Sequence, residues 1–209
     1  MTSRAVTFHK PHVLVVEGKD DYWVCIQLLQ ELNIESVQVI ETGGFPKLGD
    51  ALKLYTKTPG WSSVERFAVL VDCDGDAEGR CASVRGSLQK AGLAAPNDPM
   101  VFSGREPAVA YCVVPPDGGC IEDLICNALA DGSPLQTCVD QFVACCGLAE
   151  DKPSKRPKVW VHAYIAAKEP GLKIGEAARA GILRLEQASY SLLRDLLLSL
   201  QQSSQPQTA

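Results

Sequence analysis

The chain alternates short, wholly apolar runs with longer stretches in which apolar residues recur periodically. Val13-Leu14-Val15-Val16 is a run of four apolar, mostly β-branched residues, which predicts a strand buried on both faces. It stops at Glu17-Gly18. From about Asp20 a helix is predicted, with Trp23, Ile26, Leu29 and Leu32 on a roughly helical period. Val37–Ile40 reads as a second strand, closed by a Gly43-Gly44 turn. Leu48, Leu52 and Tyr55 suit a second helix. Phe67-Ala68-Val69-Leu70-Val71, ending at Asp72, is the strongest strand in the chain. A polar loop with Gly75 and Gly79 leads to a helix through Val84 and Leu88. Ala108–Val114 is a further apolar strand, broken by Pro115-Pro116-Asp117-Gly118-Gly119 before a helix near Ile121.

Strands alternating with helices across short turns imply an α/β fold, with a mostly parallel sheet and helices on both faces. Beyond about residue 120 the pattern is helical only. Leu192, Leu193, Leu196, Leu197 and Leu200 form a last amphipathic helix, read as core or as the seam of a homodimer. The expected organisation is an α/β domain over 1–130, a helical C-terminal extension over 131–200, and a polar, disordered tail over 201–209. Lys152–Pro157 is the one candidate hinge, and no internal repeat is found.

Composition narrows the class. At 209 residues the chain is long enough to bury a core without staples, and its 46% hydrophobic and 22% charged content is that of a globular protein. The absence of any run of 18 apolar residues argues against a membrane span, and the first residues lack the apolar core of a signal peptide. Nine cysteines with no C-x-x-C spacing suit a reducing, cytoplasmic compartment, with most of them acting as small core residues. Charge is divided unevenly. Residues 1–150 carry 11 basic and 20 acidic side chains, and 151–209 carry 9 and 5. Such a division suits an acidic metal centre beside a surface for an anionic partner, or simply a solvated basic helix face.

Ligands of open α/β sheets bind at the carboxyl ends of the strands. Two strands deliver acids there: Glu17 from the first, and Asp72, Asp74 and Asp76 from the third, in Val71-Asp72-Cys73-Asp74-Gly75-Asp76. Gathered carboxylates repel unless a cation joins them, and hard oxygen ligands suit Mg²⁺ or Mn²⁺. A calcium EF-hand is excluded by spacing, because its required Gly and Glu fall on Ala77 and Ser83. A haloacid-dehalogenase-like phosphatase also places D-x-D-G after a buried strand, with Asp72 as nucleophile and Asp74 as acid. It usually carries Thr or Val at the position of Asp76. An acidic surface turn is the plain alternative. No Walker loop, G-x-G-x-x-G or G-x-S-x-G occurs, so triphosphate hydrolysis, dinucleotide binding and serine-hydrolase chemistry have no support.

Taken together, Leu14-Val15-Val16-Glu17-Gly18-Lys19-Asp20-Asp21, the Gly-Gly turn, and Val69-Leu70-Val71-Asp72-Cys73-Asp74 some 55 residues after Glu17 resemble the TOPRIM domain. The likeness spans roughly residues 11–130 and is narrowest to the small stand-alone TOPRIM-like proteins of bacteria and archaea. It implies a Rossmann-like sheet. It also implies that Glu17 is a general acid/base or a metal ligand, that Asp72 and Asp74 hold Mg²⁺, and that Asp76 is a third or outer ligand. Lys19 would then lie close enough to steady a phosphate; otherwise it is a solvated first-turn lysine. Gly118-Gly119-Cys120-Ile121-Glu122-Asp123 is similar to a segment of the OLD-type nucleases, which implies a second-metal role for Glu122, less so for Asp123. Acids in a first helical turn are also favoured by the helix dipole alone. Those nucleases use a lysine from beyond the sheet, for which Lys158 is the best positional candidate and Lys155 another. His9 and His12 read as surface residues and His162 as a partly buried one. Adjacent Cys145 and Cys146 point about 100° apart on a helix, against joint metal binding.

The leading expectation is a Mg²⁺-dependent phosphodiester enzyme acting on DNA or RNA, most simply a nuclease. No topoisomerase tyrosine domain or primase zinc module accompanies the motifs. The second is a binding module for nucleic acid or a partner protein, because an acidic body grips a duplex poorly. The third is the phosphatase.

Overall fold

The computed structural model describes residues 6–147 and 155–202. Four strands, β1 (His12–Val16), β2 (Val37–Glu41), β3 (Arg66–Asp72) and β4 (Ala108–Val114), form one sheet in the order β2-β1-β3-β4. Every pairing is parallel. The helices are α1 (Lys19–Glu31), α2 (Leu48–Tyr55), α3 (Ala77–Lys90), α4 (Ile121–Leu129), α5 (Pro134–Cys145), α6 (Arg156–Lys168), α7 (Ile174–Arg179) and α8 (Ser191–Gln201). This is the expected α/β, Rossmann-like class.

The apolar runs become strands because both faces of the sheet are covered. Side chains alternate across a strand. Leu14, Val16, Ala68, Leu70, Cys112 and Val114 therefore enter one core with α1, α4 and the C-terminal helices. Val13, Val15, Phe67, Val69, Tyr111 and Val113 enter a second core with α2 and α3. The outer edge of β4 is partly closed by the preceding segment: the Met100 and Ser103 N–H groups donate to the Tyr111 and Val109 carbonyls at 2.7 and 2.9 Å. An edge paired in this way offers less template for aggregation.

The chain passes from β1 to β2 on one side of the sheet and returns to β3 on the other. The crevice outside β1 and β3 is thus the point where strand order reverses. Val16 is level with Leu70, so Glu17 and Asp72 leave adjacent strands at nearly the same height.

Several expectations require correction. The buried face of α1 is only partly the Trp23/Ile26/Leu29/Leu32 stripe: Leu29 is buried and Ile26 and Leu32 pack against the core from its edge. The centre of that face carries Asp21, Val24, Cys25 and Leu28, while Trp23 stays 39% exposed. A strict three-residue period drifts around a helix that turns every 3.6 residues, whereas 21, 24, 25 and 28 stay on one side. His12 is buried in β1, with Nδ1 3.0 Å from Ser36 Oγ, and His162 is exposed. Of the nine cysteines, Cys25, Cys73, Cys112 and Cys120 are buried, while Cys138, Cys145 and Cys146 are exposed along and just beyond α5. Gln201, assigned to the tail, closes α8; residues 203–209, and 152–154 of the expected hinge, lie outside the described residues. Leu193, Leu196, Leu197 and Leu200 are buried in the chain's own core. No helix among the described residues is long and apolar enough to cross a membrane.

Because α8 packs into the same core as β1 and β3, Leu197→Ala is expected to destabilise the whole chain in a single transition. The expected loss is about 2–5 kcal/mol, read from urea unfolding by circular dichroism. A separate early transition confined to the C-terminal helices would contradict the shared core.

Candidate functional site

The site assembles at the crevice between β1 and β3 from three chain segments. The first is Glu17-Gly18 and the start of α1. Gly18 caps α1 in an extended conformation, and its N–H donates to Asp21 Oδ2 at 2.7 Å. That bond turns Asp21 inward, under the β1 end. The Gly43-Gly44 turn, with φ of +77° and +113°, folds the end of β2 back so that Gly44 N–H donates to the Glu17 carbonyl at 2.9 Å. Side chains disfavour such positive φ angles, which is why glycines stand there.

The second segment is Asp72 at the end of β3. It is buried, and its Oδ1 accepts the Ile121 N–H at 2.9 Å. The carboxylate therefore sits against the N-terminus of α4, where the helix dipole favours negative charge. The third segment is the loop into α4. Gly119 has φ of +105°, and a Cβ there would lie 2.4 Å from Asp123 Oδ2, so only glycine fits. Asp123 Oδ2 accepts the Cys120 N–H at 2.8 Å, repeating the Gly18–Asp21 device. The Asp74 N–H donates to the Gly119 carbonyl at 2.8 Å and ties the loops together. Glu122, on the first turn of α4, is buried, and Lys158 Nζ from α6 lies 3.8 Å from its Oε1.

These placements bring Glu17, Asp72, Glu122 and Lys158 into one electrostatic neighbourhood. Burial raises the Asp72 carboxyl to about 8, with Asp21, Glu122 and Glu17 adding to the rise and the Ile121 N–H opposing it. Burial likewise raises Asp21 to about 7, opposed by the Gly18 N–H and reinforced by Glu122, Glu17 and Asp20. Asp20 is raised by burial and then by Glu122, against His162, Lys158 and Lys19. Burial lowers Lys158, but Glu122, Cys120, Asp72 and Asp74 outweigh it and hold the ammonium above its ordinary value.

The remaining sequence candidates are placed differently. Asp74 is half-exposed at the rim, with φ of +53°, in an ion pair with Arg80, whose guanidinium lies over the Phe45 ring. Asp76 is the N-cap of α3, its Oδ1 accepting the Gly79 N–H at 2.9 Å. Asp123 is engaged as a helix cap. Lys19 is exposed at the start of α1, and Lys155 is exposed at the start of α6.

Asp21 and Asp20 are the residues that sequence reasoning overlooked as site residues. Two acids in a first helical turn read as ordinary dipole partners. The available signal was the apolar pair at 25 and 28, which puts position 21 on the same inward face.

The centre has the character of an incomplete ligand shell. Glu17 Oε2, Asp21 Oδ1 and Glu122 Oε2 are buried without a hydrogen-bond partner. Buried polar atoms are nearly always satisfied. The donors are all hard carboxylate oxygens, suited in kind to a hard divalent ion. Among the described residues no three or more acidic, histidine or cysteine side chains are placed together so as to hold a metal ion.

Fold and site together define a doubly covered parallel α/β protein with a buried carboxylate centre at its topological switch point. The chain belongs to the family described as a protein of unknown function, DUF3226, whose model matches residues 11–202. No curated protein matches the sequence. Among solved structures it is similar to the C-terminal region of the Xanthomonas campestris pv. campestris OLD protein, with a TM-score of 0.52 and 13% identity over 93% of this chain and 95% of that one. It is also similar to the C-terminal region of the Burkholderia pseudomallei OLD protein, with a TM-score of 0.52 and 16% identity over 92% and 98%. At these identities the likeness is one of fold.

The raised carboxyls carry a pH signature. In the unfolded chain Asp21 and Asp72 release their protons near pH 4, whereas in the folded state they hold them to about 7 and about 8. Protons bound more tightly by the folded state stabilise it at low pH, and that stabilisation is lost as pH rises through the folded values. The melting temperature of chelator-treated protein is therefore expected to fall between pH 5 and pH 8. Asp72→Asn, which keeps an acceptor for the Ile121 N–H, is expected to flatten that fall in differential scanning calorimetry. An unchanged slope in the variant would remove Asp72 as its source.

Proposed function

We propose that this protein is a TOPRIM-type phosphodiester hydrolase acting on nucleic acid with Mg²⁺ or Mn²⁺: a nuclease. The observation that carries the reading is the set of partnerless buried oxygens on Glu17, Asp21 and Glu122, gathered around Asp72 and flanked by Lys158. The sequence resemblance to TOPRIM motifs and to OLD-type nucleases supports it, as does a fold shared with OLD C-terminal regions.

Asp72, Glu122 and either Glu17 or Asp21 would hold the cation. A divalent ion held there neutralises charge developing on the phosphate oxygens and makes a bound water more acidic. The protein's own groups supply the rest. The Ile121 N–H fixes one Asp72 oxygen and leaves the other free of that bond. With Asp21 as the third ligand, Glu17 Oε2, buried and partnerless, would be the base that accepts a proton from the attacking water. Lys158, kept protonated by its acidic neighbours, holds a non-bridging phosphate oxygen. Asp74 joins the centre only by leaving Arg80, so it serves as an exchangeable rim ligand. The phosphatase alternative needs Asp74 free to act as an acid over Asp72, and the Arg80 pair argues against that.

Parent protein is expected to cleave a panel of DNA and RNA substrates with Mg²⁺ or Mn²⁺. Asp72→Asn should reduce cleavage to background without loss of fold, and Lys158→Ala should lower kcat by about 10²–10³-fold. Full cleavage by Asp72→Asn would overturn the site. A parent that binds nucleic acid without cleaving it would return the protein to the binding-module reading.

A further inference from the structure

Beside the acidic centre, a groove of about 500 Å³ runs between α1 and α7. Its floor is Trp23, the aromatic residue that the inward face of α1 leaves out. The indole is packed by two neighbours. A Cβ on Gly175 of α7 would lie 2.5 Å from Trp23 Cγ, so α7 rests on the ring through the one residue without a side chain. Tyr22 packs edge-on at 5.2 Å between centroids. The Arg179 guanidinium lies over the indole at 5.8 Å from its centroid, the outer limit of a cation–π contact. Lys19 and Lys173 also line the groove, and Asp20, which feels the Glu122 charge, belongs to both groove and centre.

We propose that this groove receives one unpaired nucleotide flanking the scissile phosphate, with its base stacked on Trp23 and its phosphate met by Lys19, Lys173 and Arg179. The inference rests on the nucleic-acid reading above and assigns it a substrate class, single-stranded DNA or RNA. A single exposed tryptophan is ordinary. An indole packed against α7 in a groove of nucleotide size, lined by three cations and three acids and adjoining the carboxylate centre through Asp20, offers a stacking platform with a phosphate anchor. A base can lie on the indole only when it is unpaired, and a guanidinium plane can stack on its far side.

The groove's acids limit its length. Asp20, Glu41 and Glu176 balance the three cations, and Glu176 is tied to the Lys173 N–H at 2.9 Å. A neutral groove is a poor track for a long polyanion. It suits one nucleotide whose phosphate meets the cations while its amino groups face carboxylates.

The test is fluorescence anisotropy of the full chain with a labelled ten-nucleotide oligodeoxycytidylate, whose bases carry amino groups, and with a blunt duplex, using Ca²⁺ in place of Mg²⁺. Parent is expected to bind the single strand more tightly than the duplex. Trp23→Ala should weaken single-strand binding about tenfold and leave duplex binding unchanged, while Trp23→Phe keeps most of the affinity. Lys173→Ala with Arg179→Ala, both surface changes, should reduce the salt dependence by about 1.4 in log–log slope, the contribution of two single-strand phosphate contacts. Unchanged single-strand affinity in Trp23→Ala, an equal loss on duplex, or no parent binding to either overturns the groove. Mg²⁺-dependent cleavage is scored separately. Cleavage with Trp23-independent binding removes the groove and leaves the nuclease reading standing; Trp23-dependent binding without cleavage does the reverse.

Discussion

The mutual repulsion of buried carboxylates is the constraint around which this molecule is arranged. Asp21, Asp72 and Glu122 are each almost fully covered, and Glu17 buries one oxygen beside them. Placing like charges together out of water is among the costliest things a fold can do. The fold offsets part of the cost through backbone N–H groups: Gly18 for Asp21 and Ile121 for Asp72. It offsets another part with the Lys158 ammonium from α6. The remainder is left as raised proton affinity and partnerless oxygens. The electrostatic stress of the crevice is thus relieved in part by protons held on Asp21 and Asp72.

That stress also explains the architecture outside the sheet. The acids come from the first 150 residues, which are strongly acidic, and the neutralising lysine comes from the basic remainder. The helices after α4 share the core of the β1–α1–α4 face. They place Lys158, itself half-exposed, 3.8 Å from Glu122. The charge asymmetry visible in composition is thus partly internal. One lysine of the basic segment, Lys158, faces the buried Glu122 of the acidic body.

How much of this was legible in the sequence follows from which forces are local. The strands were legible because parallel, doubly covered strands read as unbroken apolar runs, and Asp72 and Glu17 were legible because each ends such a run. The face of α1 was not. Val24, Cys25 and Leu28 compete with Trp23 and Ile26 for the centre of the inward face, Leu29 being buried beside either set, and only the position of β1 and α7 decides between them. Missing that rotation hid two things at once: Asp21, turned inward, and Trp23, turned outward. Asp74 and Asp76 share a motif with Asp72 yet diverge from it. The chain turns at the left-handed Asp74, giving one carboxylate to Arg80 and the next to the α3 cap. Sequence proximity overstated their common purpose.

The two ends of this reasoning meet at α1. One helix presents Asp21 to the buried centre, Asp20 to the seam, Lys19 to the rim and Trp23 to the groove, all within its first five residues. At 100° per residue, successive positions sweep the circumference of the helix. A single turn capped by Gly18 can therefore serve a metal-type centre and a binding cleft together. The cap fixes the rotation of that turn, since the Gly18 N–H holds Asp21 and Asp21 sets where Trp23 must emerge. Centre and groove are accordingly mechanically joined. Disturbing the Gly18–Asp21 bond would displace the carboxylate from one and the indole from the other, and a substrate held in the groove is kept in register with the acids.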